Sequence, residues 1–460
     1  MPLFLEGECE KLRPVFQVGN FNKLQHAQAY IRNLLRSNRR NITQMSLLEE
    51  QFSSQQLNHF VSKSDWSATT LIRELTPLLN QMTQTVSSTQ AQRDGAGKII
   101  YSPEYKPTGL IFDESGWAKK GQQSVGVARQ YCGRTGKVDN CQVGVFSALS
   151  CGKYVTLNNV RLFMGEEWTA RPDRMRAAGV PEAIVNRQHR TKGMLATEML
   201  LESYDAGVQF DFVAGDSIYG RSPDLLQALL ERDIDFVLNV GSQRRIWFTD
   251  PDFKQSNPRG SGQPGRPSTR AYPRAPGISM QRYFENEDPK RWQKIKIRKG
   301  TKQWIQVRIK RVAIWTRIQN ITHRLWLLMT QREGESIKCS LTNISPERAS
   351  LQTIASLHAQ RFFVEQAFRD AKQTLGMAEY QLRKWSAWHH HMALVLLAQL
   401  LYALFLQGLR GEQLVGMTLY DLRFLYLHFG FGWFMHVPVI AVCALLKRIQ
   451  TRRKAYFDSR

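Results

Sequence analysis

Residues 358–372 read HAQRFFVEQAFRDAK. At about 100° per residue, His358, Arg361, Glu365 and Lys372 fall at roughly 0°, 300°, 340° and 320° around a helix, which makes one narrow polar stripe. Leu357, Val364, Ala367, Phe368, Ala371 and Leu375 cover an arc of roughly 180° to 280° beside it, enough to dock the helix on a core. Glu365 is therefore expected at the edge of a buried face. It stands between an arginine, which can grip a phosphate with two donors, and a lysine, which acts as a point charge. The competing expectation is an ordinary amphipathic helix with a solvated Arg361–Glu365 pair at i, i+4.

Upstream, residues 109–121 (GLIFDESGWAKKG) form a short β-prone run leading into Asp113. Two more strand-like runs follow, SVGVARQY and QVGVFSALSCGKYVTLNNVRLFM, and then a helical run, TKGMLATEMLLESYDAG. Next come a strand, FDFVAGD, ending at Asp216, a helix, PDLLQALLERD, and a strand, FVLNV. Three strands, helix, strand, helix, strand is an RNase H-like α/β order that lacks a closing helix, and residues 358–372 supply it. Open α/β sheets place their chemistry at strand ends. Asp113 and Asp216 are both expected there, although an aspartate ending a strand is more often a cap.

The order H-x2-R-x3-E-x6-K at 358–372 resembles the Y-x2-R-x3-E-x6-K signature of bacterial insertion-sequence DDE transposases. These are cut-and-paste enzymes with a β-rich insertion before the last acid. Arg361, Glu365 and Lys372 match, and His358 replaces the Tyr. The settings DESG and GDSIYG, with Lys119 and Lys120 after the first acid, resemble the family's first two acidic motifs.

The charge fits a polyanionic partner. Subtracting 39 acidic from 63 basic residues gives +24, an excess that suits nucleic acid and predicts binding that weakens as salt rises. At 42% hydrophobic and 22% charged residues the chain is globular rather than disordered. Its 6 cysteines show no zinc spacing and fit a reducing compartment. No secretory signal opens MPLFLEGECEKL, so a cytoplasmic, nucleoid-associated location is expected.

Five regions are expected. Residues 1–95 read as a separate N-terminal helical DNA-binding domain, with a basic patch at Arg36–Arg40 suited to phosphate and a polar linker behind it. Residues 105–240 form the first part of the catalytic core. Residues 241–345 form a basic insertion, made of a Pro/Gly/Arg-rich loop and strands in which Lys or Arg alternate with Ile, Val or Trp, placing one cationic face against DNA. A cationic ribbon without a ligand is the alternative. Residues 346–410 close the core, and 411–460 form a C-terminal helical region with a basic tail. His389, His390 and His391 are consecutive and cannot all face one ion from a helix. Met392–Leu409 approaches the length of a membrane span, interrupted by Gln399 and Gln407, and is expected to be a buried core helix.

By resemblance, Asp113, Asp216 and Glu365 would hold two Mg²⁺ ions, with Mn²⁺ as a substitute. Lys119, Lys120, His358, Arg361 and Lys372 would contact DNA. Trp326, in HRLWLLMT, would stack on a flipped base in hairpin-forming members, with plain core packing as the competing expectation. The partners implied are double-stranded DNA, as element ends and target, and a second copy of the chain in the DNA complex, with no membrane. Two other classes stay open: a DNA-binding regulator whose acids are not catalytic, and a membrane protein.

Overall fold

The computed structural model of the chain describes residues 2–84, 91–133, 135–152, 154–254, 272–299, 304–409, 418–424 and 427. The expected linker (in part), the bulk of the Pro/Gly/Arg-rich loop and the C-terminal basic tail lie outside these residues.

The chain builds a mixed α/β fold around a ten-stranded sheet. Its strands are β1 (Thr108–Ala118), β2 (Ala128–Cys132), β3 (Lys137–Cys151), β4 (Tyr154–Phe163), β5 (Phe212–Gly215), β6 (Asp235–Asn239), β7 (Gln293–Lys299), β8 (Trp304–Ile318), β9 (Ile321–Gln331) and β10 (Lys338–Thr342). They lie in the order β7-β8-β9-β10-β6-β5-β1-β3-β2, with β4 on the same edge of β3 as β2. Only β5 pairs in parallel, with β1 on one side and β6 on the other. β5 is buried along its whole length and reads as an unbroken apolar run, and β3 is buried from Cys141 onward, as expected of a sheet covered by helices on both sides.

The basic strands of residues 293–342 do not form a separate module. Through β10, paired antiparallel to β6, they extend the same sheet. The β8–β9 hairpin turns at Gln319 and Asn320, both at positive φ (43° and 73°), the turn type whose twist suits a two-residue hairpin. On β7 the buried Ile295 faces inward while Lys294 and Lys296 are exposed, and Arg308 lies directly opposite Lys294. The alternation is thus a half-buried ribbon with one cationic face. Lys310, two residues on from Arg308 along β8, bonds the Glu287 carboxylate at 2.7 Å. Removing charge with Lys294→Ala/Lys296→Ala should lower the slope of log Kd against log salt by about one to two, measured on duplex DNA. An unchanged slope would mean that this face does not touch DNA.

The helices that matter for the site are α1 (Leu24–Arg36), α2 (Ser54–Ser62), α3 (Ala68–Glu74), α4 (Thr76–Gln84), α5 (Lys192–Asp205), α6 (Ser217–Gly220), α7 (Pro223–Glu231), α8 (Leu351–Ala359), α9 (Phe362–Gln373) and α10 (Trp385–Leu409). The N-terminal helices α1 to α4 pack directly on α10, and their apolar residues join the core of the sheet. Polar contacts fasten that joint: the Tyr30 hydroxyl lies 2.8 Å from His391 Nδ1, and His390 is held between the Val61 and Trp66 carbonyls. The three histidines thus face different partners. In the expected basic patch, Arg40 is buried and binds Glu379 and the carbonyls of Gln373 and Thr374, so it locks the N-terminal helices to the end of α9. α10 is long and apolar enough to cross a membrane, yet 78% of its most apolar stretch is buried within the protein. Gln399 there accepts from the Leu157 N–H and donates to the Ala367 carbonyl.

Candidate active site

Strand register creates the site. β1 and β5 run parallel with Phe112 beside Gly215, so the next residue on each, Asp113 and Asp216, emerges at the same level. Asp216 follows the last residue of β5, and its side chain caps α6 by accepting from Ile218 N at 2.8 Å. Asp113 does not end its strand, contrary to the sequence expectation. β1 continues five residues further because β3 keeps pairing with it through Ala118 after β5 has stopped. What ends at Asp113 is the parallel pairing.

One oxygen each from Asp113, Glu114 and Asp216 lies within 4.8 Å of the others. Neighbouring residues on a strand point to opposite faces, and the partners of this pair differ accordingly. Asp113 meets Arg361 of the α8–α9 junction, Nη1 to Oδ2 at 3.4 Å. Glu114 meets Lys192 of α5 at 2.9 Å and the Tyr219 hydroxyl at 3.0 Å. The Asp113 carboxyl is pushed up to about 7, chiefly by burial; Arg361 opposes the rise, while Asp216 and Glu114 add to it. Burial, with Glu114 close by, also raises Asp216. Acids crowded and desolvated in this way are stabilised by a cation, and their hard oxygens fit a divalent ion.

The stretch 358–372 is two helices rather than one. α8 ends at Ala359 and α9 begins at Phe362, joined by a tighter turn in which Arg361 N lies 3.4 Å from His358 O in an i, i+3 contact. His358 consequently leaves the stripe. Its Nε2 lies 2.7 Å from Asn239 Oδ1, and burial lowers its imidazole to about 4. Arg361 and Glu365 stay on one face: the guanidinium that reaches Asp113 also lies 3.4 Å from Glu365 Oε1. Glu365 is itself 47% exposed and is linked to Asp113 through that arginine. The expected i, i+4 pair exists, and it forms part of the site.

The remaining candidates are spread around this centre. Lys120 is exposed. Lys119 puts its ammonium 3.8 Å from the centroid of the Tyr380 ring, and burial lowers it to about 8. Lys372 lies 5.9 Å from the Trp117 ring, whose edge packs on Tyr380, so the two lysines flank one aromatic cluster. Trp326 is half-buried in mid-strand, with the Arg311 guanidinium 5.7 Å from its ring centroid. Sequence reading missed Glu114, Lys192 and Tyr219. The acid pair in DESG and the Tyr in GDSIYG lie inside the quoted motifs and carried a signal, whereas nothing local marks Lys192.

An acidic cluster on a mixed α/β sheet, bordered by arginine and lysine in a strongly basic protein, is a site of the kind that handles divalent ions and phosphates. Residues 16–311 match the family described as DDE superfamily endonuclease, and the chain belongs to it. That range includes Asp113 and Asp216 and ends before Glu365. The chain is also similar to a protein of Microchaete diplosiphon named "Probable transposase for insertion sequence element IS701", at 25% identity over 246 residues, 53% of this chain. It covers 55% of that relative's length.

Proposed function

We propose that the chain is a transposase that binds the ends of its own DNA element, cuts them and transfers the strands. The observation that carries the reading is the register that sets Asp113 and Asp216 side by side with one arginine reaching both Asp113 and Glu365. The core reads as RNase H-like: antiparallel β4-β3-β1 continues into parallel β5 and β6, and α9 closes one face. The β7–β10 strands are then the insertion that precedes the last acid.

Asp113, Asp216 and Glu365 would hold two divalent ions, Mg²⁺ or Mn²⁺. Ions bound there supply the lowered pKa of an attacking hydroxyl and the neutralised charge of a leaving 3′ oxygen. The protein's own groups do the rest. Arg361 occupies the cation's electrostatic place between Asp113 and Glu365, and it is free to turn to a phosphate oxygen once that charge is supplied. Lys192 and Tyr219 engage the Glu114 carboxylate beside the pair, which leaves Asp113 and Asp216 as the reacting pair. His358 fixes the end of α8 to Asn239. Lys119, Lys120 and Lys372 border the path of the strand. A free 3′-OH made in the first cut is the nucleophile for transesterification, so no covalent protein–DNA bond is required. A homodimer on DNA follows if both element ends are held together.

The test is a plasmid carrying the element's ends, incubated with purified protein and Mg²⁺. Metal-dependent release of 3′-OH ends supports the reading; sequence-specific binding without any cleavage would make the chain a regulator. Trp326 bears on a hairpin route. Leu325, Leu327 and Leu328 are buried whereas Trp326 is not, which favours a stacking surface over core packing. Trp326→Ala should leave first-strand nicking nearly normal and depress hairpin formation by about tenfold, given on the order of 1 to 3 kcal/mol per stacked base. Equal loss of both steps with a lowered melting temperature would identify a packing residue.

A further inference from the structure

Beyond α6, on the same edge of the sheet as the acids, lies a cavity of about 580 Å³ with no carboxylate in its lining. Arg221, Arg244, Arg245 and Arg317 contribute to it, with Ser242, Gln243 and Thr316 between them. Its walls come from three elements that the catalytic register already fixes. Arg221 is the C-cap of α6, the helix whose N-cap is Asp216. Residues 241–245 follow β6, which pairs in parallel with β5 so that Leu238 lies beside Gly215 and Asn239 is level with Asp216. Residues 316 and 317 belong to the far end of β8, tied to this loop by the Trp247–Trp315 bridge.

Local packing sets the guanidiniums in place. A Cβ at Gly220 would stand 1.8 Å from the Asn239 carbonyl oxygen, so glycine there lets α6 press against the end of β6. A Cβ at Gly241 would stand 2.8 Å from Arg221 Nε, so glycine here lets that side chain lie along the loop backbone. Arg244 is half-buried and bonds the Gly220 carbonyl at 3.2 Å, and Arg317 lies over the Phe253 ring at 4.3 Å. Burial lowers Arg244, with no acid acting against it. A concave site rich in fork-shaped donors and without acidic side chains is chemically matched to phosphate oxygens.

We infer that this cavity is a second DNA-phosphate site, which seats a backbone phosphodiester of the duplex one short helix away from Asp216. It rests on the transposase reading and adds a contact none of the motif residues supplies. The seated phosphate would orient the strand running past the acids. Its source is either the element end or target DNA; the chemistry is the same for both.

The experiment measures full-chain binding, by fluorescence anisotropy over a salt series, to two labelled duplexes: one from the element end with its flank, and one of unrelated sequence. Arg221→Ala/Arg245→Ala removes two exposed guanidiniums, and Gly241→Ala displaces Arg221 without deleting a charge. Each should weaken binding, the double variant by about tenfold. The double variant should also lower the salt slope by about one. Loss confined to the end duplex assigns the phosphate to the element; equal loss on both assigns it to target DNA. Wild-type affinity and slope in both variants would overturn the inference and leave the transposase reading standing, provided that the unaltered chain binds DNA. If the unaltered chain does not bind either duplex, both fall together.

Discussion

Asp113→Asn and Asp216→Asn should each reduce metal-dependent strand cleavage by about a thousandfold or more while leaving DNA affinity within a few-fold of normal. The size follows from the chemistry. Holding charge at the reacting centre is worth several kcal/mol, and each 1.36 kcal/mol of barrier is tenfold in rate. Affinity is spared because phosphate contacts supply it, and neither aspartate is cationic. A second readout separates this from misfolding. Asp113 and Asp216 are desolvated beside a third acid, so each is a cost to the fold in the absence of a cation. The asparagine variants should therefore melt at the same temperature or higher than the wild type in chelator. Lost cleavage with a lowered melting temperature would point to a structural role instead.

Arg348→Ala should be the most destabilising substitution at the opposite end of the sheet, by about 3 to 5 kcal/mol in denaturant titration. Arg348 and Asp235 have side chains only 10% and 5% exposed. The guanidinium donates to both Asp235 oxygens and to the Ile99 carbonyl, and the Tyr101 hydroxyl adds a bond at 2.9 Å. Removing the arginine leaves a buried carboxylate with one neutral donor. Asp235 begins β6, so the loss loosens the strand whose other end carries Asn239 and the loop of the arginine cavity. Arg348→Met paired with Asp235→Leu should restore most of the stability, because the burial cost of both charges disappears together. A loss under about 1 kcal/mol in Arg348→Ala would show that the pair is solvated.

What the sequence could disclose followed periodicity and range. The start of the strand at Thr108, the Asp216 turn and the polar spacing of Arg361 and Glu365 are local patterns, and each lies where its pattern put it; the end of that strand does not. Partnership across the chain was not legible. Whether β1 stops at Asp113 depends on β3, some thirty residues away, and the separation of His358 from the stripe depends on Asn239. Arg40 shows the same limit: a run of arginines looks like a phosphate patch until Glu379, far along the chain, claims one of them. α10 looked like a span or a core helix, and the strand β4 and the N-terminal helices packed around it decide between the two.

The central claim is that Asp113 and Asp216, with Glu365 reached through Arg361, form a site for divalent cations on DNA. Titrating Mn²⁺ into the protein–DNA complex, with free Mn²⁺ followed by electron paramagnetic resonance, tests it most directly. Wild-type complex should bind Mn²⁺ tightly; Asp113→Asn/Asp216→Asn should abolish that binding, and Glu365→Gln should weaken it at least about tenfold. Equal Mn²⁺ binding by the wild type and the double variant would contradict the claim.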